Sequence, residues 1–580
     1  MIGNISKNKR NNLIAKLDEL KQFIKDKDND GKFSAYLSEM QSELKSKKYG
    51  LVFEEHREEI DDILDNNEPI LTEQQKYLIP SGKVNFLIEG DNLASLKLLE
   101  KTHKGLIDCI YIDPPYNTGK KDFIYNDVYI DINDSFRHSK WLSFMNRRLE
   151  IAKNLLSNTG VIFISIDDNE LAQLKCLCDN VFQEQNFISI LSIENNPKGR
   201  KNSKFISVSN DYCLVYAKNT NESYFIENIP KAESDLTKDE NGNYVHNSGK
   251  RVLVGEQEFN DNVVDFNSDK HYTVYYNSYT QDMKLLKENN LNDKNTNLIN
   301  KGYKRYCSYN PNGFVMNTYS MKKFQELFDD DALEFKSDKI YGKNFSTMIR
   351  MKSIIVNKKY KAIIDNKSTD FEIDVKTTSA KQSLESLLEQ KKPFNNTKNV
   401  GLLKLLLTLF ENKNIKVLDF FAGSGTTAQA VMELNKQDGG IREFILCTNN
   451  ENGICENVTF ERIKRIIKKE DYKEGIKYFK VDYVDKKDKV YYEYAGELIN
   501  HIKELVELEN GVDFSNNNTV SLVLYDDEMD NLLNKLDFKS PLKKVYVGHD
   551  IMLSIEQQQK LVEHGIEFIT IPEYYYKENV

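Results

Sequence analysis

The sequence predicts an α/β fold built on a mainly parallel sheet. Short apolar runs, which are typical of buried strands, alternate with amphipathic helical patterns. The two most informative strands are 106–112, which ends at Asp113-Pro114-Pro115-Tyr116, and 417–421, which leads into the glycine-containing loop 422–427. Open α/β sheets bind ligands at the carboxyl ends of their strands, and both loops follow a strand directly. We therefore expect the two loops at neighbouring strand tips, facing a single cleft.

Length and composition limit the class of protein. The chain has 580 residues, 39% of them hydrophobic, and a net charge of −10, and its length predicts about two to four domains. Its apolar runs are shorter than the ~20 residues that span a bilayer, and its start lacks the apolar core of a signal peptide. We therefore expect a cytoplasmic protein. The seven cysteines are scattered, which favours reduced thiols over a metal site.

Charged segments precede and follow the predicted core. Residues 1–82 are predicted to form a helical N-terminal segment, because apolar residues such as Leu13, Leu17 and Leu20 recur at helical spacing. Residues 476–580 contain short β-like and helical runs and predict a small C-terminal α/β domain. Neither segment shows a catalytic pattern.

The first part of the core is predicted over residues 83–220. A strand at 84–88 ends in a polar turn that contains Asp91 and Asn92. The helix after this turn and the strand at 106–112 complete a right-handed βαβ unit, which places Asp91 at the same sheet edge as Asp113. The further elements predicted here are a mobile loop at 117–133, helices at 141–156 and 171–182, and strands at 161–166 and 212–217.

Asp113-Pro114-Pro115-Tyr116, called the elbow below, carries the clearest chemical signal. The two prolines cannot continue the strand, because proline lacks the N–H of the ladder and has a fixed φ. A carboxylate, a proline carbonyl and an aromatic ring are thereby presented together. The ring can stack on a planar base while the oxygens accept hydrogen bonds from an exocyclic amine. An ordinary strand-to-loop turn is the alternative interpretation.

Residues 221–390 are predicted to form an inserted, loop-rich region. Within it, residues 336–361 include eight basic residues, one acidic residue and three interleaved aromatic residues. Basic side chains neutralise phosphates and aromatic rings stack on bases, so this stretch favours a nucleic-acid surface over the alternative of a solvated face. The residues predicted to contact DNA, including a smaller basic cluster before the insertion, are Lys198, Arg200, Lys201, Lys339, Lys343, Arg350 and Lys352.

The second part of the core is predicted over residues 391–475. Its loop 422–427 lies between a strand and a helix, where glycines let the backbone approach a ligand closely. The loop lacks the third glycine of a dinucleotide fingerprint and the lysine of a phosphate-binding loop, which argues against NAD and ATP. Glu451 follows the next strand, where an acid is placed to bind ribose hydroxyls. A surface carboxylate is the alternative interpretation of Glu451.

Together, the elbow and Phe421-x-Gly423-x-Gly425 resemble the catalytic and cofactor motifs of the amino-methylating DNA methyltransferases. Their order, with the catalytic motif first and the cofactor loop last, resembles the β class of that family. With this length, the chain is similar to the Mod subunits of type III restriction–modification systems. The resemblance implies a circularly permuted, Rossmann-like methyltransferase domain that depends on S-adenosylmethionine and carries an inserted target-recognition domain.

The resemblance also implies roles for residues. It implies transfer of a methyl group to the N6 of a flipped-out adenine in double-stranded DNA, because the elbow begins with Asp113 where cytosine-N4 enzymes usually have Ser. Asp113, Pro114 and Tyr116 would be catalytic. The family often has Lys-Pro where this chain reads Lys398-Asn399, so one feature of the pattern is missing. The implied cofactor-binding residues are Asp91, Asn92, Asp113, Lys398, Asp419, Phe421, Gly423, Gly425, Thr426, Thr427 and Glu451.

The resemblance implies a homodimer. The sequence shows no helicase-type loop and no nuclease-like acidic cluster, so DNA cleavage would need a separate restriction subunit. Three alternatives stay open at this point. The protein could be an orphan DNA methyltransferase without a nuclease partner, or it could methylate RNA or a protein amide. It could also be a DNA-binding specificity subunit in which catalysis is dispensable.

Overall fold

The structure is a computed structural model that divides into two compact units. The first unit comprises Met1–Tyr224, Ser353–Ile355 and Val375–Val580, and the second comprises Phe225–Lys352 and Val356–Asp374. The residues that the structure describes are 5–24, 33, 36–38, 40–41, 53–81, 84–125, 128–199, 204–246, 251–257, 264–489, 491–515, 517–536, 540–572 and 575.

A ten-stranded sheet forms the centre of the first unit. Its strands lie in the order β1-β10-β2-β9-β8-β3-β4-β6-β5-β7. The six strands from β10 to β4 are parallel, whereas β1, β6 and β5 pair antiparallel with neighbours. The strands are β1 (Asn67–Glu73), β2 (Val84–Glu89), β3 (Ile107–Ile112), β4 (Leu156–Ile166), β5 (Phe187–Ile193), β6 (Asp211–Ala217), β7 (Ile354–Ile355), β8 (Lys416–Asp419), β9 (Glu443–Thr448) and β10 (Gly475–Asp485).

Helices pack against this sheet and connect its parallel strands. The strands β2 and β3 are buried along nearly their whole length, which explains why they read as continuous apolar runs in the sequence. The helices of the first unit are α1 (Ile5–Ile24), α2 (Glu59–Asn66), α3 (Asn92–His103), α4 (Arg137–Leu155), α5 (Leu171–Cys178), α6 (Thr377–Leu388), α7 (Val400–Leu407), α8 (Thr426–Asp438), α9 (Glu461–Glu470), α10 (Tyr491–Ile499), α11 (Ile502–Asn510), α12 (Asp526–Lys535) and α13 (Ile555–Glu563).

Two parts of the sheet region differ from the sequence-based prediction. The loop predicted at 117–133 contains an antiparallel pair of strands, Lys120–Tyr125 and Val128–Asp131. Phe123 and Ile130 are buried in the main core, which fixes this hairpin despite its weak periodicity. The segment predicted as helical also contains β1. That strand lies at the sheet edge, where the missing N–H of a proline such as Pro69 is tolerated.

The C-terminal residues of the first unit form a smaller parallel sheet. Its strands are Val520–Val523, Lys544–Val547 and Glu567–Thr570. Apolar side chains of these strands and of α12 and α13 form a separate small core. This matches the alternating β-like and helical runs of the sequence.

The second unit contains short antiparallel strands around its own apolar core. The described residues of this unit also form the α-helices Thr296–Asn300 and Met321–Asp329. In neither unit do the described residues include a helix long and apolar enough to cross a membrane. The strands of the second unit are Ile229–Pro230, Leu236–Lys238, Tyr244–His246, Val252–Val254, Thr273–Asn277, Asp282–Leu286, Lys304–Tyr306, Tyr309–Asn310, Gly313–Phe314, Leu333–Phe335, Ile340–Gly342, Met348–Ile349, Lys358–Ile364 and Lys367–Ile373.

Candidate active site

The elbow and the glycine loop lie at the ends of two adjacent strands. The elbow follows β3 and the loop follows β8, and these strands pair in parallel, with Val417 opposite Cys109 and Leu418 opposite Ile110. Parallel neighbours end at the same sheet edge. The prediction that the two loops lie at neighbouring strand tips is therefore confirmed, although they are far apart in the sequence.

At the elbow, the carboxylate of Asp113, the hydroxyl of Tyr116 and the ammonium of Lys398 form a compact cluster. The Tyr116 hydroxyl donates to Asp113 Oδ1 at 2.9 Å. Lys398 Nζ lies 3.2 Å from the same oxygen and also donates to the Tyr116 hydroxyl. Lys398 is one of the residues that the resemblance implies for the cofactor, and its ammonium contacts the elbow in the structure.

A second carboxylate, Asp211, lies 3.8 Å from Lys398 Nζ. Sequence reasoning missed it because it looks like an ordinary first residue of a strand. The strand β6 runs antiparallel to β4, so its first residue lies at the edge where the parallel strands end. Predicting this position of Asp211 would have required knowing the orientation of β6.

Burial and the neighbouring side chains have opposite effects on the pKa of Asp113. Burial raises the pKa of Asp113, while Lys398 and the Tyr116 hydroxyl counteract this effect. Burial also lowers the pKa of Lys398, but the neighbouring carboxylates Asp113 and Asp211 outweigh it and raise that pKa overall. The cluster is therefore held by a cation between two acids, of which Asp211 is buried and Asp113 is partly buried.

The elbow keeps two acceptor atoms for a ligand. The Pro115 carbonyl accepts a hydrogen bond of 2.7 Å from Trp141 Nε1. Both contacts to the Asp113 carboxylate go to Oδ1. Within the described part of the chain, Asp113 Oδ2 and the Pro114 carbonyl oxygen have no hydrogen-bond partner, so a bound amine would find both.

The glycine loop has a backbone that side chains would disturb. Gly423 and Gly425 have φ values of +46° and +74°, in the left-handed region that favours glycine. A Cβ on Gly423 would lie 3.0 Å from Phe394 Cζ, and one on Gly425 would lie 3.1 Å from Thr459 Cγ2. Close backbone approach therefore requires glycine at both positions.

The residue at the end of β8, Asp419, holds the loop together. Its carboxylate accepts from the Phe421 amide at 3.1 Å and from the Thr427 hydroxyl. Burial raises the pKa of Asp419 to about 7. The predicted cofactor residues Asp419 and Thr427 thus bond to each other, while Thr426 is buried at the start of α8.

A buried arginine on α9, which sequence reasoning missed, supports the same loop. Arg462 Nη1 donates to the Ser424 carbonyl at 3.2 Å and to the Thr426 hydroxyl at 2.9 Å. Burial lowers the pKa of Arg462 to about 10. Its position in an amphipathic helical pattern gave no signal of this contact.

The predicted residues at the ends of β2 and β9 lie near the same edge. Asp91 caps α3, and Asn92 Oδ1 accepts a hydrogen bond of 2.5 Å from Arg148 Nε. Arg148 is fully buried and forms a two-pronged ion pair with Glu58 at 2.8 and 3.0 Å. Glu451 is exposed in the turn after β9. Since β9 pairs with β2 and β8, the turn with Glu451 belongs to the edge that carries the loop.

The predicted DNA contacts fall into distinct environments. Lys198 is exposed in the first unit, whereas Arg200 and Lys201 lie outside the described residues. In the second unit, Arg350 and Lys352 are exposed. Two further residues have acidic neighbours: Lys343 lies 2.8 Å from Asp331 and 3.4 Å from Asp239, and Lys339 lies 3.9 Å from Glu256.

The region between the two strand tips matches a known protein family. The sequence profile described as DNA methylase matches residues 107–460, from the first residue of β3 to the start of α9. The match includes both the elbow and the glycine loop. The chain belongs to the DNA methylase family. The resemblance drawn from the two motifs is thereby confirmed at the level of the family.

Relatives of this DNA methylase include restriction–modification proteins. The EcoPI Mod subunit of a type III restriction-modification enzyme from Escherichia phage P1 is 33% identical over 63% of this chain and 58% of its own length. The StyLTI Mod subunit from Salmonella typhimurium is 31% identical over 66% and 55%. The type II methyltransferase M.KpnI from Klebsiella pneumoniae is 30% identical over 62% and 79%. The chain thus spans a little over half the length of these Mod subunits.

Solved structures give looser matches. The complex of M1.HpyAVI with SAM has a TM-score of 0.27 at 12% identity, covering 66% of this chain and 98% of that one. A DNA modification methylase of Thermus thermophilus with S-adenosyl-L-methionine has a TM-score of 0.29 at 11% identity, covering 68% and 99%.

Proposed function

We propose that this methylase transfers a methyl group from S-adenosylmethionine to the N6 amino group of adenine in double-stranded DNA. We further propose that it is the modification subunit of a type III restriction–modification system, acting as a cytoplasmic homodimer with a separate restriction subunit. The named relatives support this proposal, since two Mod subunits are 33% and 31% identical to this chain over 63% and 66% of its length. An orphan methyltransferase without a nuclease partner is the second candidate.

One observation carries the proposal. The elbow, with an acceptor carboxylate and an aromatic ring, is adjacent to a glycine loop that opens a helix. An amine held by the first loop would face a ligand held by the second. Transfer between the two requires little beyond positioning and electrostatic support.

The residues present fit the cofactor. Gly423 and Gly425 form a backbone surface that a Cβ would fill, and the first turn of α8 presents amide groups toward the loop. We assign the methionine end to residues 421–427, the adenine to Asp91 and the ribose to Glu451. When bound, the cofactor would supply an electrophilic methyl group on a sulfonium.

The elbow residues orient the target amine. Asp113 Oδ2 and the Pro114 carbonyl would accept its two N–H groups, which directs the nitrogen lone pair away from the base and toward the loop. The Tyr116 ring would stack on the flipped base and offset part of the few kcal/mol that flipping costs. The ammonium of Lys398 keeps Asp113 charged, and a charged acceptor binds the amine more strongly.

The inserted second unit is proposed as the target-recognition region of a circularly permuted methyltransferase. It separates the two motifs in the sequence, and its exposed Arg350 and Lys352 are available to bind phosphates. All seven basic residues that the sequence analysis predicts to contact DNA are proposed as DNA contacts. Substituting either exposed residue should weaken binding in a salt-dependent manner.

The proposal is tested by methyl transfer from labelled S-adenosylmethionine. Purified protein should label duplex DNA at N6-methyladenine in one sequence context, as found by mapping modified adenines in DNA with and without the protein. RNA, protein and adenine-free duplexes serve as controls. Labelling of RNA or protein in preference to duplex DNA would contradict the proposal.

The role of the glycine loop can be tested by comparing Gly425→Ala with a control substitution at Gly439. Gly425→Ala and Gly439→Ala both place a side chain at a left-handed φ, at +74° and +69°, which costs about 1–2 kcal/mol of stability. Only the first Cβ meets a neighbour, whereas the Gly439 site has nothing within 4 Å. We expect S-adenosylmethionine affinity, measured by calorimetry, to fall about tenfold or more in Gly425→Ala and to stay unchanged in Gly439→Ala. Equal affinities in the two variants would contradict the role of the loop.

A further inference from the structure

Behind the elbow lies a polar cluster that the proposed mechanism does not use. It consists of Asn117, which directly follows the elbow, His138 in the first turn of α4, and Glu170 at the start of α5. Asn117 Nδ2 donates to Glu170 Oε1, and His138 Nδ1 lies 2.6 Å from the same oxygen. Asn117 and Glu170 are both fully buried.

Hydrogen bonds hold the chain in place on both sides of Tyr116. Asn117 Nδ2 also donates to the Arg137 carbonyl at 3.2 Å, while Trp141 Nε1 holds the Pro115 carbonyl at 2.7 Å. Tyr116 therefore lies between two anchored residues. Asn117 itself has φ +55°, a left-handed conformation that asparagine tolerates better than most residues.

Stability alone does not explain this choice of residues. Within the described residues, Glu170 Oε2 and Asn117 Oδ1 are buried without a hydrogen-bond partner. Such groups are costly to bury, and replacing them with apolar side chains of similar shape is typically neutral or stabilising. Polar groups retained at such a cost, next to an active site, indicate a positioning role.

We infer that Glu170, acting through Asn117, is a positioning residue that sets the orientation of Tyr116 and of the Pro114 carbonyl for the methyl transfer. This inference rests on the proposed function. The contact from Glu170 to Asn117 orients the Asn117 amide, and the amide fixes the left-handed turn that ends the elbow. Without it, the elbow would retain its strand and Trp141 anchor but lose the fixed end beyond Tyr116.

The charge state of the cluster follows from its surroundings. Burial raises the pKa of Glu170 to about 8, opposed by the Asn117 contact and by Arg137, and supported by Asp167. Burial and Arg137 lower the pKa of His138, whose ring also lies 3.4 Å from Gln173. Both shifts favour the neutral forms of the Glu170 carboxyl and the His138 imidazole. The pKa of Glu170 is higher in the folded protein than in the unfolded chain. Its contribution to the free energy of unfolding is therefore fully present below the unfolded pKa, and it is lost as the pH rises through about 8.

Three variants test the inference. Glu170→Gln keeps an acceptor for Asn117, Glu170→Leu removes it, and Asn117→Gly removes the amide while permitting the left-handed backbone. We expect Glu170→Leu and Asn117→Gly to lower kcat about tenfold or more with S-adenosylmethionine affinity unchanged within about twofold. Glu170→Gln should keep kcat near the parent value. Its Tm should gain on the parent between pH 5 and pH 9, because it lacks the buried carboxyl.

Asp471→Gly is the matched control for Asn117→Gly. Asp471 also has a left-handed φ, of +52°, but it is exposed at the end of α9, and its carboxylate pairs with the exposed Lys473. This variant should keep the parent kcat. Parent-like kcat in Asn117→Gly, or equal losses of kcat and cofactor affinity in Glu170→Leu, would overturn the inference. Absence of methyl transfer in the parent protein would instead overturn the proposed function.

Discussion

Replacing Asp113 with asparagine should lower the rate of methyl transfer about a hundred- to a thousandfold, the usual effect of removing one preorganised electrostatic contact. The amide has the shape of the carboxylate but no charge, and only one of its two terminal atoms accepts a hydrogen bond. Affinity for S-adenosylmethionine should fall much less than the rate, because the cofactor-binding residues of the glycine loop are unchanged. The measurement is single-turnover transfer of labelled methyl to duplex DNA.

Asp168→Asn is the control for this variant. Asp168 is an exposed carboxylate just beyond the end of β4, the strand next to β3, so its substitution tests the general effect of losing a charge at this sheet edge. It should leave the rate unchanged. If Asp113→Asn retained the full biological effect of the protein, a DNA-binding specificity subunit would be the better description.

Replacing Lys398 with methionine should have the second largest effect. The variant leaves two largely buried carboxylates, 3.2 and 3.8 Å from the lost ammonium, without their shared cation. Removing one partner of a buried ion pair typically destabilises a protein by about 3–5 kcal/mol. The pKa of Asp113 should be higher in the variant, because Lys398 lowers it in the parent protein. At neutral pH, more of Asp113 would then be protonated and unable to accept from the amine.

The pH dependence separates this mechanism from a loss of folding. In Lys398→Met, the acidic limb of the rate profile should shift to higher pH, and part of the activity should return as Asp113 ionises. Lys398→Arg should keep the limb closer to its original position. Lys404→Met, which removes a half-exposed ion pair with Glu433 on the next helix, should change neither rate nor profile. An unshifted limb in Lys398→Met would contradict the assigned role of Lys398.

The sequence predicted the elements that carry the site because each one depends on local chemistry. Two prolines after an apolar run end a strand wherever they occur, and glycines between a strand and a helix mark a close approach of the backbone. These signals gave the elbow and the glycine loop correctly. They could not give the hairpin at 120–131, because its two anchoring residues, Phe123 and Ile130, gain their burial from the rest of the core.

The partners of the site residues depended on contacts across the fold. Asp211, Arg462 and Glu170 carry no local signal, since each lies in an ordinary strand or helix pattern. Asp211 reaches the site because its strand runs antiparallel, and Arg462 because α9 packs beneath the glycine loop.

The sequence by itself determined the fold class, the two motifs and the family to which the chain belongs. Only the tertiary structure decided that Lys398 lies on Asp113 and which buried groups hold the elbow in place. The physical reason is that local pattern reports what a residue does to its own backbone. The charge, burial and hydrogen bonds of a side chain are set by segments that are distant in the sequence and meet only in the folded protein.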